Sequence, residues 1–265
     1  MTTLQLTGSI TPARNGRADA PLVVLGPSLG TTTALWARVT TRLSADYRVL
    51  RYDIPGHGES PVATRGFGIG DVAEGVIRLI DAVGAGRQPV HYAGISFGGA
   101  VGLELALKRP ERLASLAVVC SAPKIGTTAG WLDRAGQVRA GGTGATVAGS
   151  AMRWFAPGFI DRDPLAETAA LNTLRTVDDE SYALCCEALA AFDVTDSVAR
   201  ISTRTVCISG ELDLPTPAVQ LMDLAARIPG AWYRTIEGAG HLVALEAPDE
   251  LAEMLLEHIA IADSF

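Results

Sequence analysis

Gly94-Ile95-Ser96-Phe97-Gly98 is the stretch on which the reading of this chain turns. Before it stands the apolar run Pro89-Val90-His91-Tyr92-Ala93. After it, Gly99-Ala100-Val101-Gly102-Leu103-Glu104-Leu105-Ala106-Leu107 has the composition and spacing of a helix. A serine between two glycines at a strand-to-helix junction predicts a sharp turn. The serine takes a strained backbone conformation, and the glycines let neighbouring backbone crowd past it. The helix that follows points its first amides at the serine, where they favour developing negative charge. Gly, Ala and Ser are common in this chain, so the pattern takes its meaning from what surrounds it.

The chain has 265 residues, 48% of them hydrophobic, which suits one α/β domain carrying an insertion. Charged residues make up 19% and the net charge is −7, with no run of Lys and Arg. Nucleic acid is therefore not expected as a partner, whereas a small-molecule substrate is. The N-terminus, Met1-Thr2-Thr3-Leu4-Gln5-Leu6, lacks a basic start followed by an apolar core, so no secretory signal is expected. No run approaches the ~18 apolar residues of a membrane span. Cytoplasmic residence without membrane attachment is the expectation. Cys120, Cys185, Cys186 and Cys207 form no Cys-x-x-Cys pair and read as buried free thiols. His57, His91, His241 and His258 show no metal-ligand spacing, so neither a metal nor another cofactor is expected.

Strand and helix signals alternate outward from the opening stretch. Leu22–Leu25, Tyr47–Tyr52, Leu113–Cys120, Thr205–Ile208 and Trp232–Ile236 read as strands. Helical patterns run around Leu35–Leu43, Ile69–Val83 (with Val72, Val76, Leu79 and Ile80 on one face) and Pro248–Ile261. This rhythm implies an α/β fold with a mostly parallel central sheet flanked by helices. Between Lys124 and Ala199 the rhythm breaks into a Gly-, Ala- and Thr-rich segment with helix-like stretches and no strand signal. The expected organisation is a core of residues 1–123 and 200–265, with an inserted helical cap over 124–199.

An acyl-transfer serine needs a base to take its proton and a carboxylate to orient that base. Ser209-Gly210-Glu211-Leu212-Asp213-Leu214-Pro215 follows one late strand, and Glu237-Gly238-Ala239-Gly240-His241 follows the last. Functional groups of open α/β sheets gather beyond the carboxyl ends of the strands, so Ser96, Asp213 and His241 are expected on one edge. Glu211 competes with Asp213 for the acid role. His258, in the terminal helix, is expected to face solvent, and His91 to lie within or beneath the sheet. His57, in Asp53-Ile54-Pro55-Gly56-His57-Gly58, is expected to support nearby loops.

The strand–Gly-x-Ser-x-Gly–helix unit, followed in order by acid and histidine, resembles the α/β-hydrolase fold. That resemblance assigns Ser96, Asp213 and His241 as catalytic residues. It places one oxyanion donor at the amide of Phe97 and the second in Gly26-Pro27-Ser28-Leu29-Gly30. Leu29 is the preferred second donor, with Ser28 and Gly30 as alternatives. Within the fold the chain is similar to the 3-oxoadipate enol-lactonase type. The similarity rests on Leu25–Gly30, Arg51–Gly58 and the serine turn, and within the cap on Ser121–Thr127, Arg153–Phe159 and Tyr182–Cys186. Pro27-Ser28 stands where many members carry Asn-Ser, and Pro55 where many carry Arg. Some members also carry a fused carboxymuconolactone decarboxylase domain; this chain ends just after its last helix, so that activity is expected to be absent.

The resemblance implies hydrolysis of a small carboxylate-bearing lactone, with a cationic anchor in the cap. Arg134, beside Trp131, is the first expectation for that anchor and Lys124 the second. Trp131 and Trp154 are candidate pocket walls. The competing readings are a general carboxylesterase, a triad enzyme of other chemistry such as carbon–carbon hydrolysis or perhydrolysis, and a ligand-binding relative without turnover.

Overall fold

The fully apolar runs become the centre of a seven-stranded sheet. In the computed structural model, which describes residues 4–264, β2 (Leu22–Gly26), β4 (Val90–Ile95) and β6 (Thr205–Gly210) are buried along their whole length. Met1–Thr3 of the N-terminal stretch read above lie outside the described residues. With β1 (Gly8–Thr11), β3 (Arg48–Tyr52), β5 (Leu113–Val119) and β7 (Trp232–Ile236), the strand order is β1-β3-β2-β4-β5-β6-β7. All neighbours are parallel except β1, which pairs antiparallel with β3. β1 gave no signal in the sequence: four mostly exposed residues at a sheet edge carry neither an apolar run nor an alternation.

Helices α1 (Ala37–Leu43), α2 (Ile69–Ala82), α3 (Phe97–Lys108), α9 (Ala218–Arg227) and α11 (Pro248–Ala262) flank the sheet, with the one-turn α10 (Val243–Glu246) just before the last. α2 buries Ile69, Val72, Ala73, Val76, Ile77 and Ile80, a stripe at helical spacing, while Leu79 is only partly covered. α11 turns His258 inward rather than to solvent. The residue is 1% exposed, and burial lowers its pKa to about 4. The terminal helix is therefore packed along the face that carries His258, with Leu251, Leu255 and Ile259.

Between β5 and β6 the described chain holds five α-helices, two short 3-10 turns and no strand: α4 (Thr128–Gly141), α5 (Val147–Trp154), α6 (Phe159–Arg162), α7 (Pro164–Thr176) and α8 (Asp179–Ala191). Side-chain caps set where three of them begin. Thr127, Asp163 and Asp178 accept hydrogen bonds from the amides of Gly130, Ala166 and Ser181 at 3.1, 3.1 and 2.8 Å. No described helix is long and apolar enough to cross a membrane.

Candidate active site

Ser96 sits between β4 and α3 with φ 55° and ψ −110°, in the left-handed half of the map that side chains avoid. Two contacts explain the flanking glycines. A Cβ on Gly94 would lie 2.2 Å from the Gly98 carbonyl oxygen, and one on Gly98 would lie 2.4 Å from that of Gly26. The strain is held by hydrogen bonds on both sides: the Ser96 amide donates to Val119 O at 2.9 Å, and Ser121 Oγ donates to Ser96 O at 2.8 Å. Below the turn, Tyr92 donates to Gly98 O at 2.8 Å, and the Tyr92 and Tyr52 hydroxyls share a 2.7 Å bond.

The loop after β2 is locked against the turn, with the Gly98 amide donating to Pro27 O at 2.9 Å. His57 holds the other end. It is fully buried; its Nε2 accepts from the Gly30 amide at 3.0 Å, and its Nδ1 donates to Pro55 O at 2.9 Å. Accepting at Nε2 requires the neutral ring, and burial lowers the His57 pKa to about 4. The Gly30 amide is thus already spent on His57, and that of Thr31 on Ser28 O. Of the two alternatives to Leu29 as a donor, Gly30 is removed.

Asp213, after β6, and His241, after β7, meet over the end of the sheet. His241 Nδ1 lies 3.0 and 3.1 Å from the two oxygens of Asp213. The same oxygens accept from the Thr216 amide at 3.0 Å and from Thr216 Oγ1 at 2.7 Å. Burial pushes the Asp213 pKa up, but His241 and Thr216 outweigh it and hold the carboxyl below its ordinary range. Glu211 is directed elsewhere, accepting from the Gly238 amide at 2.9 Å. The His241 loop is tied to the helical segment as well. The His241 and Leu242 amides both donate to Trp154 O, at 3.0 and 3.1 Å, and Glu246 accepts from Gly240 and Ala156 at 3.0 and 3.1 Å.

Cys120, Asp213 and His241 also bring three potential metal-ligating atoms within 4.8 Å of one another. Both Asp213 oxygens are already occupied by protein donors, and burial beside Asp213 raises the Cys120 thiol pKa well above normal. This chemistry favours a neutral thiol packed under the pair, not a thiolate ligand.

Ser96 and His241 open into one cavity of about 180 Å³, walled by Leu29, Trp131, Arg134, Arg153, Trp154 and Tyr182 among others. That volume suits a ligand well below drug size. Arg134 lies 5.7 Å from the ring centres of both Trp131 and Tyr182, and its Nη2 donates to Ser150 Oγ at 3.0 Å. Lys124 does not line this cavity, which corrects its place as second anchor. Its Nζ pairs with Asp193 at 2.9 Å on the surface. Arg153, Tyr182, Thr216 and Glu246 were not singled out as site residues in the sequence. Arg153 and Tyr182 occurred only inside stretches that carried the resemblance.

Three comparisons bear on this arrangement. Residues 23–254 match the model of the "Alpha/beta hydrolase family". The chain is 32% identical over 240 residues to 3-oxoadipate enol-lactonase 1 of Acinetobacter baylyi, covering 91% of this chain and 89% of that protein. It is equally 32% identical, over 256 residues, to RutD of Pseudomonas savastanoi, a protein carrying a carbamate hydrolase name, with 91% and 95% covered. Among solved structures, the enol-lactonase of Burkholderia xenovorans LB400 superposes with a TM-score of 0.90 at 32% identity, covering 96% of each chain.

Proposed function

This chain belongs to the alpha/beta hydrolase family, and from that premise we propose that it opens a small carboxylate-bearing lactone, 3-oxoadipate enol-lactone, to 3-oxoadipate. The observation that carries the reading is the meeting of Ser96 and the His241–Asp213 pair in a small cavity that also holds Arg134.

Ser96 Oγ attacks the lactone carbonyl while His241 Nε2 takes its proton. Asp213 holds Nδ1–H and stabilises the imidazolium. The amides of Phe97 and Leu29 receive the oxyanion, each donor being worth about 2.7–4 kcal/mol in the transition state. Collapse breaks the ring C–O bond. The enol oxygen takes the proton from His241 and tautomerises to the ketone, leaving the opened chain esterified to Ser96. Water, deprotonated by His241, then attacks the acyl carbonyl, and Ser96 recovers its proton as the dicarboxylate leaves. Arg134 holds the carboxylate that takes no part in the chemistry, and Trp131 and Trp154 wall the ring.

The similarity to RutD supports a second reading, in which the same serine and histidine cleave a carbamate. Initial rates on the enol-lactone (followed by loss of its ultraviolet absorbance), on p-nitrophenyl acetate and on a small carbamate separate the readings. A kcat/KM at least tenfold higher on the enol-lactone is expected. The highest value on the carbamate establishes the second reading, and the highest on the aryl ester establishes a general carboxylesterase.

A further inference from the structure

We propose that Arg153 and Arg134 together form a carboxylate receptor at the reaction cavity, with Arg153 as the residue that makes the site selective for anions. This rests on the lactone reading above, in which Arg134 alone was the anchor.

The two arginines are held differently. Arg134 on α4 is fixed by two aromatic faces and by Ser150. Arg153 on α5 is half-buried and has no hydrogen bond or ion pair among the described residues. Arg139, elsewhere in the helical segment, shows the contrast: it is paired with both Glu180 and Glu187. Burial lowers the Arg153 pKa, and the Arg134 charge beside it lowers it further. Two guanidinium groups on one wall repel each other. Their free donors match the four lone-pair positions of a carboxylate.

The surroundings keep this wall open. Gly149 lies one helical turn before Arg153, and a Cβ there would come within 3.0 Å of Arg153 Nη1. The missing side chain makes room for the guanidinium beside its own helix. Both arginines also line a second, outer cavity of about 350 Å³, together with Thr127, Asp133, Gln137 and Thr146, the Asp133 carboxylate accepting from Gln137 Nε2 at 2.6 Å. Gly126 and Trp131 are shared by the two cavities as well. The receptor therefore stands at the boundary of the reaction cavity and the outer one, where an anion reaches it from either side.

Binding of adipate, an unreactive dicarboxylate, is measured by titration calorimetry on the wild type and on Arg153→Gln, Arg153→Lys and Gly149→Ala. Arg153→Gln is expected to weaken binding about 10- to 100-fold, the range of one charge-assisted hydrogen-bonded group. Arg153→Lys falls between, since an ammonium keeps the charge without the fork. Gly149→Ala, which keeps the charge and displaces it, weakens binding several-fold. In kinetics, Arg153→Gln lowers the ratio of kcat/KM on the enol-lactone to kcat/KM on p-nitrophenyl acetate by the same factor. A merely structural loss moves both values together and overturns the proposal. So does adipate binding within twofold of wild type in Arg153→Gln, or no adipate binding to the wild type. If Arg153→Gln does not fold, the lysine and alanine variants decide by the same criterion. Adipate binding that depends on Arg153 in a protein that leaves the enol-lactone untouched removes the lactone reading and keeps the receptor.

Discussion

His57 makes the loop that carries Leu29 sensitive to acid, and the size of the effect follows from its burial. Its ring is neutral because Nε2 must accept the Gly30 amide, and its pKa lies at about 4 against an ordinary 6.5. Between those values the unfolded chain binds a proton that the folded chain refuses, so folding stability falls as pH falls. The contribution is fully present above pH 6.5 and fully lost below about pH 4. At pH 5 it amounts to about 2 kcal/mol less stability than at pH 7, from 1.36 kcal/mol per pKa unit. Glutamine at position 57 keeps one acceptor and one donor but does not titrate. Urea unfolding of wild type and His57→Gln at both pH values isolates the effect. His258 and Asp213 also lose stability towards acid, while Glu246 and Asp53, whose pKa values burial raises, act in the opposite sense. All four are common to both proteins and cancel in the difference. The wild type should lose about 2 kcal/mol more than the variant between pH 7 and pH 5. Equal losses would refute the claim that a neutral His57 holds the loop.

Asp213→Asn should lower kcat by about 10⁴ while the protein stays folded by circular dichroism, because the amide cannot stabilise the imidazolium. A loss below tenfold would assign the acid role to another carboxylate. Gly240→Ala places a Cβ 2.7 Å from the Ala156 amide nitrogen and 2.8 Å from Glu246 Oε1, so the His241 loop must shift. The expected cost is about 1–3 kcal/mol in urea unfolding, accompanied by lower kcat; an unchanged unfolding midpoint would contradict the tight docking. All four cysteines are buried, with thiol pKa values raised by burial, so Ellman's reagent should find no fast-reacting thiol in the native protein and four after denaturation.

The sheet and the three groups over its edge were legible because long apolar strands and Gly-flanked loops leave local signatures. β1 was not, since a short polar strand takes its identity from β3, its partner in space. Which cations of the helical segment line the cavity was legible only in part. An arginine or lysine on a helix reads the same whether it faces a cavity or water, and only the packing of α4 and α5 separates Arg134 and Arg153 from Lys124. His258 shows the same limit in reverse, a polar residue carried inward by the apolar face of α11. That His57 supports a neighbouring loop was legible from the Asp53–Gly58 turn, but its partner, Gly30, lies 27 residues away in sequence and no local pattern announces it.

The proposed chemistry requires that Ser96 be acylated by a lactone whose leaving group stays attached. Acid-quenching the enzyme during turnover of the enol-lactone and weighing the Ser96 peptide tests it most directly. The expected result is an adduct on Ser96 equal to the mass of the whole lactone, absent in Ser96→Ala, which also fails to consume the substrate. Consumption of the lactone by Ser96→Ala at the wild-type rate, or an adduct on another residue, would contradict it.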